Sequence, residues 1–136
     1  MSRVRYPVTA GDVVQAVRTS FPEAADGVDA FIRSRGFDDS SHHEWLERFS
    51  QLTTDAIKRQ DLQTARAHLN LLSRVLAAGG EEVTKCIDVS YVEPLMWDLK
   101  DESLKRQGWS IIPANLRSLY SAMWGERGFM KGKNEA

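Results

Sequence analysis

Apolar residues recur every three or four positions along residues 45–57, and this period constrains the fold more than any other feature of the chain. The apolar positions are Trp45, Leu46, Phe49, Leu52, Ala56 and Ile57. Such spacing places their side chains on one face of an α-helix, which must bury that face against other elements. Ser41 and Glu44 have the spacing of a capping box, so they predict the start of this helix.

Two shorter helices are predicted before this one. Thr9 can cap the free amides of the first helix, with Asp12 in its first turn. The apolar positions of the first helix are Val13, Val14, Val17 and Phe21. Pro22 either ends this helix or begins the second, which is predicted over residues 23–35 with Gly36 as its stop.

A fourth helix follows the 45–57 stretch after a short connection. Asp61 is placed to cap it, and the glycine pair at residues 79–80 ends it. Its apolar stripe consists of Leu62, Ala65, Leu69, Leu72 and Leu76. Because the connection is short, we expect the third and fourth helices to form an antiparallel hairpin.

Residues 81–99 are predicted to form a central helix around which the other helices pack. Its apolar positions recur every four residues, at Val83, Ile87, Tyr91 and Leu95. Pro94 either kinks this helix or accompanies a break near residues 91–93, because proline lacks the amide hydrogen that a helix interior needs. Between residues 81 and 102, seven acids and two bases leave a local formal charge of −5. This excess of acid is the main functional signal in the sequence, although acids on helices commonly serve only solvation.

The carboxy-terminal part contains a charged stretch and one further predicted helix. Residues 101–107 form a charged stretch, and Gly108 is predicted to end it. Proline is favoured in the first turn of a helix, so the last helix is predicted over residues 113–124, with Gly125 as its end. Glycines and charges in residues 126–136 predict a flexible tail.

The length of 136 residues, with 42% hydrophobic and 27% charged residues, predicts one globular domain. We expect this domain to span residues 1–125, with an extended arm at residues 1–8 because Tyr6 precedes Pro7. No stretch alternates apolar and polar residues long enough to predict a strand. The predicted fold is all-α, with about six helices in antiparallel hairpins packed around the central helix, as a solenoid-like or orthogonal bundle.

The charge balance and the apolar stretches limit the possible partners and location. The net charge of −1 gives the chain no long-range attraction to nucleic acid or to anionic lipid. No stretch has the length and composition of a signal peptide or a membrane-spanning helix. We therefore expect a cytoplasmic protein that binds neither nucleic acid nor membrane.

Residues that often carry chemistry are few and poorly arranged here. His42 and His43 are adjacent, so they face different directions on a helix, and no metal site is predicted. Cys86 lies on the apolar face of its helix, where burial is expected. His68 lies beside a leucine stripe and is predicted to be hydrogen-bonded and partly buried. The carboxylate pairs of the chain favour capping and solvation, so no catalytic residue and no cofactor is predicted.

The four tryptophans divide into two groups. Trp45 and Trp124 continue apolar stripes and are predicted to lie in the core. Trp97 and Trp109 flank the acidic segment, and either they are exposed for binding or they pack under the last helix. The candidate contacts for a protein partner are Asp88, Glu93, Trp97, Asp98, Asp101, Glu102 and Trp109.

Two segments carry a family resemblance. Residues 81–95 read EEVTKCIDVSYVEPL, and residues 112–125 end the domain with an IPANLRSLYSAMWG helix. Together they resemble a family of small helical bacterial immunity proteins associated with polymorphic secreted toxins. In that family an E-E-V start, a hydrophobic pair and V-S-[FY]-[LV]-E precede a carboxy-terminal helix. Pro94 stands where the family pattern has a polar residue.

The resemblance implies a function in binding rather than catalysis. An immunity protein would bind and block a cognate toxin that acts in the cytoplasm. The acidic segment would suit a toxin with a basic cleft, such as a nuclease, because the cleft would be attracted to it. The alternative is a helical adaptor or regulatory module with another protein partner, and an enzyme ranks third.

Overall fold

The computed structural model describes residues 7–130, and every regular element within that range is helical. The helices are α1 (Ala10–Ser20), α2 (Pro22–Ser34), α3 (His42–Lys58), α4 (Leu62–Ala78), α5 (Glu81–Ile87), α6 (Glu102–Ile111) and α7 (Ala114–Trp124). A π-helical turn, Asp88–Val92, continues α5, and a 3₁₀ turn, Gly128–Met130, follows α7. The all-α prediction is confirmed, with seven α-helices in the described range where about six were expected. None of these helices has both the length and the apolar content needed to cross a membrane.

The first two helices begin and end as their local sequence predicts. Thr9 and Asp12 form a reciprocal capping box, because each side chain accepts a hydrogen bond from the backbone amide of the other. Pro22 occupies the first turn of α2 and therefore begins that helix. Gly36 follows α2 with a φ of 84°, a left-handed conformation that costs glycine little. Of the predicted arm, residues 1–6 lie outside the described residues.

The predicted capping box at the start of α3 is wrong. The side chain of Ser41 makes no capping hydrogen bond to α3. Its Oγ instead accepts the amide hydrogen of Asp38 at 3.3 Å, while the carboxylate of Asp38 accepts from the amide of Ser40 at 2.9 Å. The polar turn before the helix therefore uses the hydroxyl that would otherwise cap it.

The centre of the bundle is α3, and not residues 81–99 as predicted. This helix packs against α1, α2, α4, α6 and the π turn. Phe49 is fully buried at its middle, with ring centroids 6.1 Å from Phe21, 4.5 Å from His68 and 5.9 Å from Tyr91. The predicted α3–α4 hairpin is present, and Asp61 caps α4 by accepting the amide hydrogen of Thr64 at 3.2 Å.

The helix predicted over residues 81–99 ends at Val92. In the π turn the amide of Glu93 donates to the carbonyl of Asp88, five residues earlier. Pro94 has no amide hydrogen to continue that ladder, and the chain proceeds to Leu99 through successive turns. Of the two alternatives for Pro94, the break near residues 91–93 is therefore confirmed.

The carboxy-terminal part differs from prediction in two places. Gly108 does not end a helix but lies buried inside α6, where an added Cβ would be 2.7 Å from Sδ of Met96. Residues 126–130 are not a loose tail, since Phe129 is 5% exposed and its ring packs on Trp109 and Tyr120. Residues 131–136 of the predicted tail lie outside the described residues. Gly125 ends α7 with a φ of 74°, as predicted.

Candidate functional site

A buried polar network in α3 holds the segment after α5 in place. Ser50 Oγ donates to the carbonyl of Tyr91 at 2.7 Å. Thr53 Oγ1 lies 2.8 Å from the hydroxyl of Tyr91 and 2.9 Å from Nδ1 of His68. His68 is thus hydrogen-bonded as predicted, and it is buried rather than only partly buried. Burial lowers the pKa of His68 to about 4, because the charged imidazolium would lose its hydration.

Met96 is the last buried residue before the chain reaches the surface at Trp97. Met96 is buried and has a φ of 61°, a left-handed conformation that costs a non-glycine residue roughly 1–3 kcal/mol. Its amide donates to Oγ1 of Thr54 at 2.9 Å, which holds the residue in place. The next residue, Trp97, is 67% exposed, and its indole N–H donates to Oε1 of Gln51 at 2.8 Å.

Two surface grooves share Pro94 and Trp97 as lining residues, and together they are named the Trp97 surface. The first groove, of about 590 Å³, is lined by Phe31, Ile32, Phe37, His43, Glu44, Glu47, Arg48, Gln51, Pro94 and Trp97. The second groove, of about 430 Å³, is lined by His43, Glu47, Val89, Glu93, Pro94, Trp97 and Trp124. The shared residues make the two grooves one continuous surface.

Exposed apolar side chains concentrate on this surface. Phe37, Val89 and Trp124 are each about 40% exposed, and together with Trp97 they line the grooves. They account for four of the six large hydrophobic side chains exposed in the described part of the chain. Isolated exposed apolar residues are ordinary, but a group with a polar rim is typical of an interaction surface.

The rim of the Trp97 surface is acidic. Glu44, Glu47 and Glu93 line it, with Arg48 as the single Lys or Arg side chain among the lining residues. The guanidinium of Arg48 lies over the ring of Phe31, 4.0 Å from its centroid. With His43 neutral, the lining residues carry a formal charge of −2, which favours a basic partner.

Trp124 was predicted to lie in the core, and that prediction is wrong. It is the last residue of α7, and its indole N–H donates to the carbonyl of Glu93 at 3.2 Å. This bond attaches the end of α7 to the segment after the π turn. The side chain remains partly exposed and lines the second groove.

Of the candidate contacts predicted from sequence, the structure brings two together on this surface, Glu93 and Trp97. Asp98 is adjacent, but its carboxylate is bound 2.6 Å from Nζ of Lys58 and also accepts from Gln51. Trp109 is 9% exposed and packs on the last helix, which excludes it as a contact.

The remaining candidates have other positions. Asp101 is exposed and caps α6 by accepting the amide hydrogen of Leu104 at 3.0 Å. Glu102 is exposed in the first turn of α6, and Asp88 is half-buried at the start of the π turn. Burial and the nearby charge of Glu93 raise the pKa of Asp88. Neither carboxylate lines a groove of the Trp97 surface.

Several residues of the surface were missed by sequence reasoning. Val89 lies off the four-residue stripe of residues 81–99, and Phe37 is an aromatic residue in an otherwise polar turn. In both cases the position of the apolar residue in the sequence was a signal that its side chain is exposed. The approach of Glu47 and Trp124 to the same groove depends on long-range packing and had no local signal.

Other potential chemistry is limited in the described residues. Within residues 7–130 no three His, Cys, Asp or Glu side chains are grouped as metal ligands. His43 Nδ1 lies 2.8 Å from Oγ of Ser90, and its Nε2 lies 3.5 Å from the carboxylate of Glu47. Cys86 is a free, half-buried thiol whose pKa is raised by burial.

Comparison with known proteins identifies the family. The chain belongs to the family described as Domain of unknown function (DUF7674), whose model matches residues 14–125. This span contains every residue that lines the Trp97 surface. No curated protein and no solved structure matches the chain.

Proposed function

We propose that this member of the DUF7674 family binds another protein through the Trp97 surface, and that the partner is a secreted toxin that it neutralises. The observation that carries the proposal is the exposed, hydrogen-bonded indole of Trp97 between two grooves. In the free protein the apolar surface of this indole is in contact with water. Its burial by a partner would contribute favourable free energy of binding.

The surface has the properties of a binding hot spot. A tryptophan that becomes desolvated at the centre of an interface can contribute more than about 2 kcal/mol of binding free energy. The hydrogen bond to Gln51 and the left-handed backbone of Met96 fix Trp97 before the partner arrives, which lowers the entropy lost on binding. The glutamates at the rim would guide a basic partner to the grooves.

A toxin is proposed as the partner because of the sequence resemblance to immunity proteins in residues 81–95 and 112–125. A toxin that acts on nucleic acid has a basic cleft, and such a cleft matches the acidic rim in charge. Covering the cleft would block the substrate without any catalytic residue in the inhibitor. A cytoplasmic location remains part of the same proposal.

Co-expression with the product of the neighbouring gene tests this function. We expect rescue of growth and co-purification with the wild-type chain, and loss of both with Trp97→Ala. Glu102→Ala is the matched control, because Glu102 is exposed outside the surface. Co-purification that depends on Trp97 without any rescue would instead favour a helical adaptor. Equal binding by the wild type and Trp97→Ala would contradict the role of the surface.

A further inference from the structure

We infer that the second groove of the Trp97 surface binds an arginine side chain of the protein partner. The inference rests on the proposed function, since it names the chemistry that the partner presents. Two indoles and two carboxylates line this groove, namely Trp97, Trp124, Glu47 and Glu93. A guanidinium can satisfy both kinds of group at once, because it stacks on aromatic faces and forms paired hydrogen bonds with carboxylates.

The two indoles are held in place by bonds at their edges. Trp97 Nε1 donates to Gln51, and Trp124 Nε1 donates to the carbonyl of Glu93. Each indole has only this one N–H, so the exposed ring surface has no further hydrogen-bond donor to offer. What it offers is the negative face of the π system, which attracts a cation.

The carboxylates make the groove selective for a cation. Among the residues that line it, Glu47 and Glu93 are acids, and no lysine or arginine is present. The side chain of Glu93 forms no ion pair within residues 7–130. The first groove differs, because Arg48 lines it and would repel a second guanidinium. The charges therefore direct an arginine to the second groove.

The protein contains an internal example of the same arrangement. The guanidinium of Arg18 is paired with both carboxylate oxygens of Asp29, at 2.5 and 3.1 Å. It also lies 5.6 Å from the ring centroid of Trp45, whose indole N–H donates to Asp29 at 2.9 Å. In the second groove the indoles and carboxylates come from this chain, and the arginine would come from the partner.

Arginine is preferred to lysine for a geometric reason. A planar guanidinium presents parallel N–H groups to a carboxylate while its face remains free to stack. A lysine ammonium is a compact point charge that binds water more strongly. The groove should therefore bind an arginine derivative more tightly than the matched lysine derivative.

The test is a titration of the full-length, ¹⁵N-labelled chain with N-acetyl-arginine methylamide, followed by the indole N–H signals in NMR spectra. The lysine analogue and the neutral citrulline analogue serve as matched probes. We expect saturable shifts at Trp97 and Trp124, no shifts at the buried Trp45 and Trp109, and weaker binding of the other two probes. Glu93→Gln and Trp124→Leu should each weaken arginine binding roughly two- to fivefold, whereas Glu102→Gln should not.

Several outcomes would overturn the inference. Equal shifts with the arginine and citrulline probes would exclude recognition of charge. An equal effect of Glu93→Gln and Glu102→Gln would exclude a role of the groove, and so would the absence of saturable shifts. If the arginine probe fails while partner binding still depends on Trp97, the proposed function stands and the arginine site does not. If the probe binds but the partner is indifferent to Trp97→Ala, the site stands and the proposed function fails.

Discussion

Tyr91 and Trp97 belong to the same short segment and have opposite environments. Tyr91 is fully buried, and its hydroxyl and carbonyl are both hydrogen-bonded to α3. Trp97 is 67% exposed and uses its single N–H for a bond to Gln51 of the same helix. One turn of α3, residues 50–54, therefore fixes a core aromatic residue on one side and a surface aromatic residue on the other.

The difference assigns Tyr91 to the stability of the fold and leaves Trp97 free for the proposed recognition of a partner. Removing Tyr91 would leave a cavity and unpaired polar groups, since every face of its ring is packed. Removing Trp97 would uncover little, because most of its ring already contacts solvent. Met96, which lies between the two residues in the chain, has a left-handed backbone and is buried, and Trp97 directly after it is exposed.

The largest expected effect is on the core side of the comparison. Tyr91→Ala should lower the free energy of unfolding by about 3–5 kcal/mol, the range for deleting a large buried aromatic side chain. Denaturant unfolding measures this change. Tyr91→Phe is the control, since it keeps the ring and loses only the bond to Thr53, at a cost of about 1 kcal/mol. A Tyr91→Ala protein as stable as the wild type would contradict the packing described here.

The lowered pKa of His68 predicts that the free energy of unfolding depends on pH. Its pKa is about 4 in the folded protein and about 6.5 in the unfolded chain, so between these values the unfolded chain binds more protons. Stability should therefore fall as the pH is lowered from 6.5 to 4, by at most about 3 kcal/mol from this residue.

The measurement compares wild type and His68→Gln across this pH range. Glutamine keeps a hydrogen-bonding partner for Thr53 and does not titrate, so the difference between the two proteins isolates the imidazole. The wild type should lose more stability than the variant as the pH falls. Parallel stability curves would show that His68 does not take up a proton on unfolding.

A smaller effect is expected where α6 approaches the segment between Tyr91 and Trp97. In Gly108→Ala the new Cβ would be 2.7 Å from Sδ of Met96 and 3.0 Å from Cδ1 of Ile57, both buried. Overpacking should exceed the gain in helix propensity, for a net loss of about 1 kcal/mol. Gly27→Ala is the control at an exposed position of α2, where the new Cβ would meet no atom within 4 Å beyond its chain neighbours and the helix's own backbone, and it should stabilise the protein. A gain in thermal stability for both variants would contradict this packing.

The smallest effect on stability is expected at Trp97. Trp97→Ala should change the free energy of unfolding by less than about 0.5 kcal/mol, as for most surface substitutions. The same thermal and denaturant measurements check this value. A loss close to that of Tyr91→Ala would mean that Trp97 belongs to the core, and the contrast between the two aromatic residues would disappear.

Local signals predicted most of the helices. Thr9 with Asp12, Pro22, Asp61 and Gly125 begin or end their helices as expected, because capping and left-handed glycines depend on a few neighbouring residues. Ser41 is the exception, since a competing turn uses its hydroxyl. Gly108 failed as a stop signal because its lack of a side chain serves close packing between helices.

The acidic segment, residues 81–102, shows which part of the candidate site could not be predicted from the sequence. The sequence identified its excess of acid, but Asp98 pairs with Lys58 and Asp101 caps α6, so both charges have internal partners. Sequence distance hid the partner of Asp98, because Lys58 lies forty positions away, whereas the capping bond of Asp101 is local. The groove that remains combines Glu93 with Glu47 of α3 and Trp124 of α7.

By itself the sequence determined an all-α fold and most helix ends, because periodicity and capping act over a few residues, and it left open whether Pro94 kinks or breaks its helix. The tertiary structure alone decided that α3 is central, that Trp109 is buried and that Trp97 is exposed. Those outcomes depend on which helix faces meet, and the free energy of that packing comes from residues far apart in the chain.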